Sequence, residues 1–305
     1  MFDIAKFAKD KCSESILITG SARSGTTILG QLLASFSGVE YSFEPPLLFS
    51  LFGNINSIPE RYFKLLFNTY LYEEILMGGL SGRTLNLNRK DDSSVYHYLP
   101  EQVVKERILS SHRKADLIRL AEDGCISFKM PDVVPFVGKL LDYFPKFKII
   151  QTIRSPESTF NSILGKNWFN DDSLSLRGRI WPSKFVNDVV VPYWVPSKKE
   201  EQWVGGTELE RIAIYYIEMT RIAHISKLTC VVDYDEMVTS PRILVTRLCQ
   251  RLGLEIGTLT DSIIAKIRPQ ITSDKANLRM LGLELREEVY LSYANSRLLI
   301  SNENN

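Results

Sequence analysis

The 305-residue chain has little of what most often announces a metal or redox site: three histidines and four cysteines. Cys12, Cys125, Cys230 and Cys249 lie far apart, without zinc-site spacing and without the density of a secreted disulfide scaffold, so they read as free thiols. An excess of charge of one sign is missing too. Lysine plus arginine number 37 against 36 aspartate plus glutamate, a net charge of +1, which leaves no overall field to draw nucleic acid or an anionic membrane. No apolar run could span a bilayer, and Met1–Ser15 carries Asp3, Lys6, Lys9, Asp10 and Lys11 where a signal peptide would be continuously apolar. The expectation is a cytoplasmic protein with no membrane span, no nucleic-acid partner and no metal, whose basic sites are local. Composition says nothing of its oligomeric state.

What is present is a chain 44% hydrophobic, long enough to bury a large core. Short β-rich runs alternate with helix-length amphipathic stretches, the pattern of a parallel sheet covered by helices. Strands are expected at Ile16–Thr19, Val39–Ser42, Ile126–Lys129, Lys148–Ile153 and Thr229–Tyr234. Helices are expected near Thr26–Ser37, Arg61–Met77, Gln102–Glu122, Val134–Phe144, Glu157–Leu164, Glu208–Ser226 and Pro241–Leu252. Two stretches break the rhythm. Gly78–Tyr98 is polar, and Lys166–Gly206 holds all four tryptophans, Trp168, Trp181, Trp194 and Trp203. Loops of that length in a compact domain are commonly functional.

Ile16–Thr19 runs into Gly20-Ser-Ala-Arg-Ser-Gly-Thr-Thr27 and then into an apolar helix. Strand, glycine-bounded loop and helix together point backbone N–H groups and a helix N-terminus at an anion. The same pattern also fits a plain glycine turn before a capped helix. A nucleoside-triphosphate loop would place a lysine after its second glycine. Thr26 stands there instead, and Arg23 offers the cation from within the loop. The architecture expected is a P-loop-type three-layer α/β sandwich, a central parallel sheet of about five strands flanked by helices.

A second anion site is suggested where the strand Lys148–Ile153 meets Arg154-Ser-Pro-Glu157. Ser155 suits a helix N-cap, Pro156 the first turn, and Glu157 the positive end of the dipole. Arg154 then sits at a strand's C-terminal end, where ligands bind in open α/β sheets. Ser162 lies two turns on, and whether it faces the same pocket depends on a rotation that spacing does not give. A local structural arginine and a surface serine are the other reading.

Together these segments resemble the sulfotransferase family. Its 5′-phosphosulfate loop reads like Arg23-Ser-Gly-Thr-Thr27, and its 3′-phosphate motif like Arg154-x-Pro156 with Ser162 downstream. The likeness continues in Phe128-Lys-Met-Pro131, Phe144-Pro-Lys-Phe-Lys-Ile149, Val232-Asp-Tyr-Asp-Glu-Met237 and Leu252-Gly-Leu254. It implies a single domain over 1–305, with acceptor-side insertions near 53–122 and 166–206. It implies 3′-phosphoadenosine 5′-phosphosulfate as donor, held by Arg23, Ser24, Gly25, Thr26 and Thr27 at the 5′ end and by Arg154 and Ser162 at the 3′ end. Lys129 matches a family lysine, but Pro131 stands where the phenol and steroid branch has its histidine base. Glu44, in Val39–Pro46, matches the glutamate base of the carbohydrate and protein-tyrosine branches.

The chemistry implied is an in-line displacement at sulfur, with Glu44 as general base and with Arg23, Lys129 and the loop amides stabilising charge on the leaving group. Small-molecule acceptors are expected, above all carbohydrates, bound between Glu44 and the Trp-rich segment. Aromatic faces would cover the sugar ring there, and Asn167, Asn170, Asp171, Asp172, Asn187 and Asp188 would meet its hydroxyls. A P-loop kinase or hydrolase, or a non-catalytic nucleotide-binding protein, are the alternatives. The closing motif of the phenol branch has no counterpart, with only Ser273, Lys275 and Arg279 nearby.

Overall fold

A computed structural model describes residues 3–177, 182–221, 230–268 and 278–303. The strands are β1 (Ile16–Gly20), β2 (Val39–Phe43), β3 (Cys125–Lys129), β4 (Lys148–Ile153), β5 (Ser183–Val186), β6 (Val189–Pro192) and β7 (Cys230–Asp233). Five of them form a parallel sheet in the order β2-β3-β1-β4-β7, and β5 and β6 make a separate antiparallel ribbon. The helices of the first half are α1 (Lys6–Ser13), α2 (Thr26–Ala34), α3 (Pro46–Gly53), α4 (Glu60–Thr69), α5 (Gly78–Leu80), α6 (Glu101–Leu109), α7 (Lys114–Asp123) and α8 (Val137–Tyr143). Those of the second are α9 (Pro156–Leu164), α10 (Asp171–Arg177), α11 (Glu200–Gly205), α12 (Glu208–Thr220), α13 (Tyr234–Thr239), α14 (Pro241–Leu252), α15 (Thr260–Ile264) and α16 (Leu283–Glu303).

The sheet is central because its strands are apolar on both sides, and alternation sends successive residues to opposite layers. Leu17, Phe128 and Ile149 pack with Phe52, Phe63 and Phe67 from α3 and α4. Ile16, Ile18, Ile150 and Val232 pack instead with Leu29, Leu32 and Leu248 from α2 and α14. The three-layer α/β expectation holds.

Several boundaries differ from the sequence reading. The helix expected over Gln102–Glu122 breaks between α6 and α7, where Ser110 and Arg113 are extended (ψ 134° and 142°); serines favour such conformations over helix. A π-helical stretch, Tyr70–Met77, carries α4 into α5, so the expected Gly78–Tyr98 loop begins as helix. Segment 166–206 is not a bare loop either. It holds α10, the β5–β6 hairpin and α11, with Asn187 and Asp188 at positive φ (49° and 63°) supplying the left-handed turn that a two-residue hairpin needs. Helices α1, α3 and α16 were not expected. Thr229, Trp181, His224, Ser273 and Lys275 lie outside the described residues, as does the end of the helix expected to reach Ser226. Among the described residues no helix is long and apolar enough to cross a membrane.

Candidate active site

The first loop leaves β1 at Gly20, where a Cβ would run into the Thr152 carbonyl of the neighbouring strand. It enters α2 through Gly25, at φ 90°. Only glycine adopts such a φ without strain. The first i→i−4 bond is Leu29 N–H to the Gly25 carbonyl, 3.1 Å, so the amides of the opening turn have no partner within the helix and suit an anion. Ser24 faces the other way: its hydroxyl meets the Ser21 carbonyl at 2.6 Å and Thr152 Oγ1 at 2.5 Å, and its amide donates to the same Ser21 carbonyl, 3.2 Å. Its side chain shapes the loop from beneath.

The second loop lies against the first. Ser155 is the N-cap of α9 with Pro156 in the first turn, although its hydroxyl makes no capping bond. Ser162 turns towards the first loop, where Arg23 Nε donates to its Oγ at 2.9 Å. Arg154 Nη1 donates to the Arg23 carbonyl at 3.1 Å, and its guanidinium lies 4.5 Å from the Tyr234 ring centroid. Arg23 and Arg154 thus sit side by side, Arg23 in the left-handed region at φ 72°. Arg23 borders a cleft of about 440 Å³ also lined by Gly25, Thr26 and Thr27, and Arg154 meets that cleft through its contacts with Arg23 and Tyr234. Tyr234, Lys266 and Arg268 also line it, together with one carboxylate, Asp92. Tyr234 belonged to a segment already singled out in the sequence; Lys266 and Arg268 carried no motif.

Beside the cleft stands the third constellation. Lys129 ends β3, paired in register with Phe43 of β2, and the next residue on that side, Glu44, donates its amide to the Lys129 carbonyl at 2.9 Å. Lys129 Nζ lies 2.5 Å from Glu44 Oε1 and 3.9 Å from the Phe43 ring centroid, and donates to Thr27 Oγ1 at 3.1 Å. The lysine side chain is 3% exposed and the glutamate 36%. Burial pulls the Lys129 pKa below the ordinary lysine value, with Glu44 acting in the opposite direction. Glu44 has φ 46°. A non-glycine residue in that region carries about 1–3 kcal/mol of strain, a pattern that gathers at functional sites.

Two of the four tryptophans are placed otherwise than the sequence suggested. Trp194 and Trp203 are 1% and 0% exposed, packed edge to face 5.2 Å apart within one apolar cluster. Trp168 packs against that cluster from outside. Nor are all the polar residues of the segment free for a ligand: Asn170 accepts the Ser173 amide, 2.8 Å, and Asp171 pairs with Arg211, 2.6 Å. Among the described residues, Trp194 and Trp203 pack against α12.

Sheet order and the glycine loop between β1 and α2 define an α/β protein of P-loop type. The chain belongs to the sulfotransferase family, whose model matches residues 15–258. Among solved structures it is similar to the sulfotransferase domain of the Synechococcus PCC 7002 olefin synthase, at 17% identity and TM-score 0.46 over 92% of this chain and 93% of that one. Sulfotransferase STF9 from Mycobacterium avium matches at 13% identity and TM-score 0.44, over 93% and 76% of the two chains. STF1 from Mycobacterium tuberculosis H37Rv matches at 15% and 0.39, over 92% and 76%. No curated protein matches the chain.

Proposed function

We propose that this transferase moves a sulfuryl group from 3′-phosphoadenosine 5′-phosphosulfate to a hydroxyl of a carbohydrate or other small molecule, with Glu44 as general base. The observation that carries the reading is the bridge made by Lys129, whose ammonium joins the Glu44 carboxylate, 2.5 Å, to Thr27 of the phosphate loop, 3.1 Å. A carboxylate that can take a proton and a buried cation beside an anion loop are what sulfuryl transfer requires at one point. The donor fits the residues present. Its 5′ end would meet the amides of Gly25, Thr26 and Thr27 and the Arg23 side chain, and its 3′-phosphate Arg154 and Ser162, with Ser24 holding the loop's shape.

The donor supplies the sulfuryl group; the protein supplies position and charge. Glu44 accepts the acceptor's proton as the new oxygen–sulfur bond forms and the bond to the 5′-phosphate breaks. Lys129 and Arg23 stabilise the charge that gathers on the sulfuryl oxygens and on the departing phosphate. Support for a carbohydrate acceptor rests on Glu44 followed by Pro45, since Trp194 and Trp203 are buried in the core. The single domain with acceptor-side segments 53–122 and 166–206 belongs to the same reading.

The test is transfer from labelled donor to a panel of acceptors, read by mass spectrometry, with and without EDTA. Saccharide products formed equally well in the chelator are expected, because Thr26 replaces the lysine of magnesium-dependent phosphate loops. Activity abolished by EDTA and restored by magnesium would put a kinase first. Phenols turned over without any saccharide would move the acceptor class.

A further inference from the structure

Two adjacent tyrosines on α12 reach different loops. Tyr215 Oη accepts the Ala22 amide of the phosphate loop at 2.5 Å and donates to Asp132 Oδ1 in the loop after β3. Tyr216 Oη donates to the carbonyl of Arg154 at 2.7 Å. We propose that this pair positions the donor pocket, Tyr215 setting the phosphate loop and Tyr216 setting the loop that carries Arg154. The proposal rests on those loops being the donor's 5′ and 3′ sites.

Both hydroxyls are placed to act as spacers. Tyr215 and Tyr216 are 1% and 0% exposed, and no water competes for such bonds. Asp132 is itself buried, at φ 69°, with its amide 3.4 Å from the Gly20 carbonyl and its own carbonyl accepting Tyr193 Oη at 3.1 Å. The Ala22–Tyr215–Asp132 chain therefore ties the loops after β1 and β3 together from below. Burial first, and Asp132 second, drive the Tyr215 pKa well above that of a free phenol, so it stays a donor at working pH.

The helix that carries the pair is held firmly. Thr207 and Glu210 form a capping box at its start, and Arg211 donates to the carbonyls of Trp203 at 2.9 Å and Phe169 at 3.1 Å. Tyr215 packs 5.0 Å from Trp194, and Tyr216 5.7 Å from Phe160. Neighbours on a helix project about 100° apart. One rigid segment thereby fixes the separation of two anion-binding loops, and the buried tryptophans serve the nucleotide side by bracing it.

Calorimetric titration with adenosine 3′,5′-bisphosphate and adenosine 5′-phosphate, on the unmutated protein and on Tyr216→Phe and Tyr215→Phe, tests the assignment. Each variant keeps the ring and removes one hydroxyl. Tyr216→Phe should weaken the bisphosphate about tenfold and leave the 5′-phosphate within about twofold. Tyr215→Phe should weaken both alike. Tyr193→Phe, which loosens the same chain from the hairpin side, should weaken both by a smaller factor and stands in if Tyr215→Phe does not fold. Variants that melt earlier yet bind both nucleotides as the parent does would overturn the inference and leave the donor reading intact. An unmutated protein indifferent to the 3′-phosphate would bring down the donor reading and this inference with it.

Discussion

Replacing Lys129 with methionine separates what the ammonium does for the reaction from what it does for the fold. The side chain is 3% exposed and its charge is held against burial, which already draws the pKa down. Methionine has nearly the same length and no charge, so the desolvation penalty disappears with the ion pair. Glu44 is left with water, because 36% of its side chain is exposed. Stability should therefore stay within about 1 kcal/mol of the parent or rise, as it often does when buried ions give way to apolar side chains. The chemical step should suffer instead, by roughly 10²–10³-fold or about 2.7–4 kcal/mol, the range for removing one preorganised electrostatic contact. Thermal melts with single-turnover sulfuryl transfer measure the two quantities. The reasoning fails if the variant melts many degrees lower while turning over at near-parental rate. A pH profile gives an independent check: since the pKa is lowered, the charge is lost as pH rises through a value below the ordinary lysine pKa of about 10.4. The alkaline fall in kcat/KM should come early and vanish in Lys129→Arg. Stability should move the other way over that window, rising with pH, because the folded state binds fewer protons there than the unfolded one.

Glu44→Gln should lower the rate by roughly 10²–10⁴-fold with nucleotide affinity unchanged in calorimetry; Glu44→Gly should lose the same activity while gaining up to about 1 kcal/mol in chemical denaturation, because glycine is unstrained at that φ. A Glu44→Gln enzyme of near-normal rate would hand the base to another residue. Arg154→Ala should cost about 1.5–3 kcal/mol of binding to adenosine 3′,5′-bisphosphate and remove its advantage over adenosine 5′-phosphate, and a preserved advantage would detach Arg154 from the 3′ site. Arg107→Met should destabilise by about 3–5 kcal/mol, the usual cost of stranding a buried charge. Arg107 meets Glu40 through two bonds of 2.6 and 2.8 Å, and Glu40 is 5% exposed. If adding Glu40→Gln restores nothing, the pair is not what the arginine serves.

The parts of this molecule that were legible beforehand are those whose physics is local. β1 and β4 are short runs buried on both faces, and each opens into a loop whose residue types, Gly20 and Gly25 in one, Ser155 and Pro156 in the other, serve turns and helix starts. Contacts between loops were not legible. That Ser162 meets Arg23 depends on how α9 is rotated about its axis, and that Ser24 faces inward depends on Thr152 from a strand more than a hundred residues away. Tyr215 and Tyr216 carried no signal in the sequence, because their hydroxyl partners belong to other elements. Composition misled at Trp194 and Trp203: indoles beside asparagines describe a sugar platform and a helix brace equally well until burial is known. Helix α16 escaped because its leucines do not keep to one face, with Leu283, Leu291 and Leu298 at 60–62% exposure.

The order of the strands has a consequence for how such an enzyme changes over time. Glu44 leaves the sheet at its edge strand β2, Lys129 at β3, the phosphate loop at β1 and Arg154 at β4. Three spacings of about 4.8 Å put roughly 14 Å between the first of these exits and the last. On the reading proposed here, the donor is gripped by the interior strands, and the acceptor approaches where the sheet has a free margin, screened by the segment that runs from α4 to α7. Mutations accumulating in that screen could redirect which hydroxyl is sulfated while the nucleotide grip, two strands inward, went on unaltered: inheritance of the donor and drift of the acceptor would be separable.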